Sequence, residues 1–177
     1  DNTPILQTPA NVQVVPRQVM DDHQDISVRD AVVGYVSSVQ PPSTTPSSNN
    51  FYDGFNIRGF DNANVYRNDL RLFEITGIET ANLQSIEILK GPAAMLFGRL
   101  EPGGIINLVP KRPLDVPYAS IQEQFGSWGL TRTTIDSTAP LTPDKTWLYR
   151  VNLDYTRADS FTDFVNNKNF FIAPTVT

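Results

Sequence analysis

IEILKGPAAMLFGRLEPGGIINLVPKRP, residues 86–113, is the stretch whose reading decides the fold. Ile86 and Ile88 fall on one face of a strand running from Ser85 to Lys90, and Gly91 breaks it. Pro92 stands where a first helical residue is favoured and Gly98 where a C-terminal cap is, so AAMLF between them reads as one to two helical turns. Pro102, Gly103 and Gly104 form a turn, and Ile105 to Val109 is a buried-looking strand closed by Pro110. Four elements in so short a span describe a small α/β domain that ends at about Pro113.

Upstream, the pattern stays mixed. Val12 to Val15 is a short apolar strand stopped by Pro16. Ser27 followed by Asp30 is a weak capping box, and Val28, Ala31, Val32 and Tyr35 recur at helical spacing, so a short helix with one apolar face starts there. Residues 41–50 (PPSTTPSSNN) are a polar loop. Phe55 to Phe60 (FNIRGF) reads as a strand running into a turn, with Arg58 on the apolar strand between Ile57 and Gly59. Val65 to Leu72 reads as a hairpin, because Asn68 and Asp69 tolerate the positive φ of a two-residue turn.

Downstream of Pro113 the sequence reads as strands. In Trp147 to Tyr155 (WLYRVNLDY) one face carries Trp147, Tyr149, Val151, Leu153 and Tyr155, and the other Arg150, Asn152 and Asp154. Nine residues at about 3.4 Å each, tilted near 45°, cover roughly 22 Å, close to the apolar band of an outer membrane. A soluble sandwich with one wet face would alternate in the same way. The neighbouring strands are less regular. Ala119, Ile121 and Phe125 share their face with Glu123, Leu130 to Thr138 is mostly polar, and Phe171, Ala173 and Thr175 begin a fourth strand. Residues 139–145 read as a compact turn and 157–168 as a longer polar loop, a contrast that suits an outer-membrane barrel, although the connection at 126–129 is short.

Composition narrows the classes. The chain has 177 residues, with 14 prolines and 10 glycines that point to many turns. A net charge of −5 argues against nucleic-acid binding, which needs a basic patch. Without cysteine there is neither a disulfide framework nor a thiolate metal site, and His23 alone cannot build a metal or catalytic cluster; it reads as a surface residue among solvated Asp21, Asp22 and Asp25. Gly91, Gly98, Gly103 and Gly104 do not make a phosphate loop, since no Gly-Lys-Ser/Thr follows; with Gly59 they read as caps and corners. No apolar run approaches the roughly 20 residues of a membrane helix. The chain opens at Asp1 without a leader, so a signal peptide has been removed or the sequence begins inside the protein. No nucleophile–base constellation is present, and no catalysis, cofactor or protein-bound metal is expected.

Taken together, FNIRGF at 55–60, IEILKGP at 86–92, the small helix ending LFG and the close PGGIINLVPKRP at 102–113 resemble the plug domain of TonB-dependent outer-membrane receptors. The spacing and order match over nearly the whole of residues 86–113, and the looser likeness extends to TPANVQVVP at 8–16 and FFIAPTVT at 170–177. Within the family the likeness is to siderophore receptors. The resemblance implies an α+β plug domain, a small mixed sheet with short helices, over 1–113, followed over 118–177 by about four antiparallel strands of a transmembrane β-barrel that has 22 strands in the whole protein. It further implies ferric siderophore as ligand, the TonB–ExbB–ExbD energising complex and outer-membrane lipid as partners, and the Gram-negative outer membrane as location, with the plug inside the barrel lumen. The iron would belong to the ligand. No clear TonB box is visible at Asp1 to Thr8, so that segment is expected upstream, and this stretch alone is not expected to transport.

The same resemblance singles out residues. Arg58 and Lys90 match the basic positions of a lock between plug and barrel, their carboxylate partners lying on barrel strands beyond this chain. Tyr52, Asn64, Tyr66 and Phe73, on or beside loops where the family places its apical surface, are the candidate ligand contacts; aromatics beside amides suit a large, partly apolar chelate. Two alternatives stay open: the same machine with another cargo (cobalamin, another metal chelate or a glycan), and a soluble periplasmic binding or signalling module.

Overall fold

The computed structural model describes residues 11–41, 54–60, 63–68, 70–72, 77–91, 103–160 and 164–177. The chain divides into two compact units, Asp1–Pro110 and Lys111–Thr177.

In the first unit, strand Asn11–Pro16 (β1) runs directly into a helix, Arg17–His23 (α1). No side chain caps α1, and an Arg17–Asp21 ion pair one turn apart braces it. That is why the sequence alone yields only a strand stopped by Pro16. The next helix, Val28–Tyr35 (α2), opens on the expected capping box: Ser27 Oγ accepts from the Asp30 amide (3.2 Å) and the Asp30 carboxylate accepts from the Ser27 amide (3.3 Å). Strands Val39–Gln40 (β2) and Asn56–Ile57 (β3) pair with each other. Asn64–Arg67 (β4) and Leu70–Leu72 (β5) form the hairpin, with Asn68 at φ 50° as its turn chemistry requires; Asp69 lies outside the described residues. Leu83–Lys90 (β6) and Gly104–Pro110 (β7) complete a five-stranded sheet in the order β1-β6-β7-β4-β5. The β4–β7 pair is parallel and the others are antiparallel, so the sheet is mixed. The short helix expected between Pro92 and Gly98 lies outside the described residues.

The core of this unit follows from strand alternation. Ile86 and Ile88 of β6, Ile106 and Leu108 of β7 and Val65 of β4 are buried with Met20 of α1 and Val28, Ala31 and Val32 of α2. Burying each large aliphatic side chain contributes about 1.5–3 kcal/mol. The opposite face of the sheet carries a smaller cluster, Tyr66 and Ile105 with Leu89.

The second unit is an antiparallel meander of Tyr118–Phe125 (β8), Thr131–Pro140 (β9), Leu148–Asp159 (β10) and Asn166–Val176 (β11). Its burial is inverted. On β10 and β9, Asp154 is fully buried, and Arg132, Asp136, Arg150, Asn152 and Thr156 are buried as well, whereas Trp147 and Tyr155 are 56% and 42% exposed. Ile121, Phe125, Phe170 and Ile172 are exposed too. A soluble sandwich would bury the aromatic face and wet the charged one.

Two strand boundaries differ from the sequence reading. Half of the polar text at 157–168 is strand: Arg157, Ala158 and Asp159 pair in register with Lys168, Asn167 and Asn166, and the Ser160 amide donates to Val165 O (3.0 Å). Backbone pairing does not require apolar side chains, so polarity misplaced the strand ends. The contrast between a short turn and a long loop disappears with this extension. Arg58 is also not on a strand, because β3 ends at Ile57.

Candidate functional site

Three separated motifs meet in the first unit. Ile57 and Phe60 exchange backbone hydrogen bonds (3.0 and 3.1 Å), so Arg58 and Gly59 occupy the centre of a tight turn, at φ 54° and 83°. Positive φ at both central positions is the primed turn geometry, which costs a non-glycine residue about 1–2 kcal/mol. The Arg58 amide donates to Ser38 O (3.0 Å), which ties the turn to the segment after α2. This turn rests on Gly103, where an added Cβ would stand 2.5 Å from Ile57 O and 3.0 Å from Phe60 Cβ. Gly104, at φ 142°, lies so close to Leu89 O that no side chain fits. Gly91, at φ 84°, ends β6 beside the Arg58 guanidinium, and its amide donates to Gly103 O (3.3 Å). Residues 57–60, 89–91 and 103–104 are therefore parts of one corner, and glycine is needed there for close backbone approach. Gly98 lies outside the described residues.

The corner carries two cations. Lys90 is 7% exposed, and its Nζ donates to Gln13 Oε1 (2.8 Å); Gln13 Nε2 in turn donates to Tyr35 O (3.1 Å). Burial and the neighbouring Arg58 guanidinium hold the Lys90 ammonium below the usual lysine range. Among the described residues no carboxylate pairs with Lys90 or Arg58. A buried ammonium with a neutral amide as partner beside a second cation favours an anion supplied from elsewhere. Gln13 was not singled out from the sequence. Its signal is its place on β1, in register with Ile88 and two residues from the partner of Lys90.

Asn64 and Tyr66 fall together on β4, on the sheet face that also carries Asn107, Glu87 and Leu89. They are only 5% and 8% exposed, and Tyr66 packs with Ile105. Asn107 Nδ2 donates to Glu87 Oε2 on the same face (3.0 Å). Tyr52 and Phe73 lie outside the described residues. His23 is exposed and meets Tyr35 edge to face at 4.8 Å. Among the described residues no group of three or more His, Cys, Asp or Glu is placed to hold a metal, and no helix is long and apolar enough to cross a membrane.

The second unit buries a charged network. Arg150 grips Asp136 with two donors (Nε to Oδ1 2.9 Å, Nη2 to Oδ2 2.7 Å), and Lys111 Nζ adds a third (2.8 Å). Arg150 Nη1 also donates to Arg112 O (2.8 Å), and Thr138 Oγ1 accepts from the Leu114 amide (2.9 Å), so the 111–114 segment is bound along the polar face of the sheet. Further along, Arg132 Nε donates to Asp154 Oδ2 (2.5 Å) and Thr156 Oγ1 to Asp154 Oδ1 (2.7 Å). Sequence alternation assigned Arg150, Asn152 and Asp154 to one face. It did not identify Asp136 and Arg132 as their partners, because cross-strand register is not written in one strand.

The TonB-dependent receptor plug domain model matches residues 4–105. The chain belongs to the TonB-dependent receptors. It is 32% identical over 99% of its length to the metal-pseudopaline receptor CntO of Pseudomonas aeruginosa, covering 25% of that protein. It is also 32% identical over 99% of its length to the ferrichrome outer membrane transporter/phage receptor of Escherichia coli K12, covering 24% of it. The ferric-catecholate import receptor Fiu of Escherichia coli K12, in its open form, superposes with a TM-score of 0.84 at 27% identity, over 98% of this chain and 25% of Fiu. The segment thus spans about a quarter of the relatives it matches. Its architecture is that of the family: a mixed-sheet plug domain followed by strands.

Proposed function

We propose that this chain is the plug and the opening barrel strands of a receptor that imports a ferric siderophore across the outer membrane of a Gram-negative bacterium, energised by the TonB–ExbB–ExbD complex. The observation that carries the reading is the inverted sheet of the second unit, with charge buried on one face and aromatics exposed on the other, next in sequence to a plug domain. That arrangement suits lipid outside and a polar lumen inside. The cargo reading draws on relatives named for ferrichrome and ferrioxamine B. A cargo of another metal chelate is the second reading, favoured by the likeness to CntO.

In this mechanism Arg58 and Lys90 hold the plug to carboxylates on barrel strands outside this chain. Neutralising both cations seats the plug, and separating them exposes buried charge, so the contact is specific yet breakable. Tyr52 and Phe73 remain the proposed ligand contacts, whereas Asn64 and Tyr66, buried on β4, would support that surface from beneath rather than touch the chelate. The Leu141–Trp147 turn faces the periplasm, the side from which the chain enters the sheet at Tyr118. The protein needs no cofactor and performs no catalysis; iron travels within the ligand.

The test is growth of a strain lacking the whole receptor on single chelates as sole iron source, with uptake of radiolabelled iron measured in parallel. Loss of growth on one siderophore, restored by the intact gene, supports the reading. Unchanged iron uptake with loss of uptake of another chelated metal selects the second cargo.

A further inference from the structure

We propose that Arg157 and Lys168 form a seat for the phosphate of an outer-leaflet lipid on the outer wall of the strand sheet, an inference that rests on the membrane reading above. On the exposed face, β10 and β11 pair as a ladder: Tyr149 opposite Val176, Val151 opposite Pro174, Leu153 opposite Ile172 and Tyr155 opposite Phe170. The next rung sets Arg157 directly opposite Lys168, both exposed. Four apolar rungs thus end in a doubly cationic one. Like charges directly opposite each other destabilise a sheet, so this rung is costly unless an anion joins it.

The protein does not supply that anion among the described residues. Neither side chain has a carboxylate partner there. The neighbour of Arg157 on β9 is Thr131. Two carboxylates share the face: Glu123 accepts from Thr133 Oγ1 (2.7 Å), and Asp159 has its Oδ2 beside Gly129.

Depth and shape fit a lipid. From Leu148 to Arg157 the strand climbs roughly 22 Å along the membrane normal at 3.4 Å per residue and 45° tilt, against an apolar band of about 25 Å. The cations therefore stand at headgroup level, above Tyr155 and Phe170, and the lower rungs offer an apolar track for acyl chains. An amphipathic anion matches both parts; a free anion uses only the top rung. With the 141–147 turn toward the periplasm, the occupant is the phosphorylated lipid of the outer leaflet.

The experiment uses the full-length receptor, reconstituted in phosphatidylcholine nanodiscs containing either bis-phosphorylated or dephosphorylated lipid A, with retained lipid counted by native mass spectrometry. Wild type should retain the phosphorylated form and release the other. Arg157→Gln and Lys168→Gln should each lower occupancy roughly fivefold, while Lys145→Gln, in the turn at the other end, should not. The exchange variant R157K/K168R keeps both charges and should retain lipid, which covers the case in which the neutral variants do not insert. Equal retention of the two lipids, or retention unaffected by removing either cation, overturns the proposal and leaves the receptor reading intact. A receptor absent from the outer-membrane fraction overturns both.

Discussion

Lys90 Nζ lies 2.8 Å from Gln13 Oε1, and through that amide the cation at the end of β6 is tied to the main chain of Tyr35 in α2. The ammonium is buried beside Arg58, and desolvation first, then that guanidinium, depress its pKa. The arrangement holds the charge in position without neutralising it. If Lys90 meets a barrel carboxylate as proposed, Lys90→Met in the full receptor leaves that carboxylate uncompensated, an expected cost of about 3–5 kcal/mol. Faster protease cleavage of the plug and greater sensitivity to a bulky antibiotic would report it. Gln13→Leu should act in the same direction but more weakly, because the charge remains.

Gly103 is expected not to tolerate alanine. The added Cβ would stand 2.5 Å from Ile57 O, which is backbone and cannot swing aside. Overpacking of this kind costs about 1–3 kcal/mol. Gly104→Ala should be worse, since it adds an unfavourable φ to a contact with Leu89 O. Urea unfolding of the receptor, followed through plug accessibility, should rank Gly104→Ala below Gly103→Ala and both below wild type.

Arg132 and Asp154 form a buried pair, with Asp154 wholly inaccessible. Asp154→Leu strands the guanidinium and should cost about 3–5 kcal/mol, while R132M/D154L should recover much of the loss. A double-mutant cycle on the heat-induced unfolding of the receptor in detergent reads the coupling. Additive effects would show that the two side chains do not interact.

Asp144 gives a pH prediction for the turn. Hydrogen bonds from Thr142 and Thr146 lower its pKa to about 2. A depressed folded-state value means that the stabilisation is complete above the unfolded carboxylate value of about 3.9. It is lost as pH falls toward about 2. The midpoint difference between wild type and Asp144→Asn should therefore shrink across that window and stay constant above it. An unchanged difference down to the acid end would contradict the assignment.

Much of this molecule can be read before it is folded. Ser27 and Asp30 announce α2, Asn68 announces the hairpin, and the alternation from Trp147 to Tyr155 separates a charged face from an aromatic one, because caps, turns and strand parity are local consequences of side-chain chemistry and backbone geometry. Helix α1, with no side-chain N-cap, and the polar strand ends at Asp159 and Asn166 escape such reading, since neither carries a local signal of cap or alternation. Only the tertiary structure shows that the charged face is the buried one, that Gln13 holds Lys90, that Arg58 takes a left-handed turn over Gly103, and that Arg157 meets Lys168. Those facts depend on register and close approach between distant segments, and a one-residue slip in pairing would exchange every one of these partners.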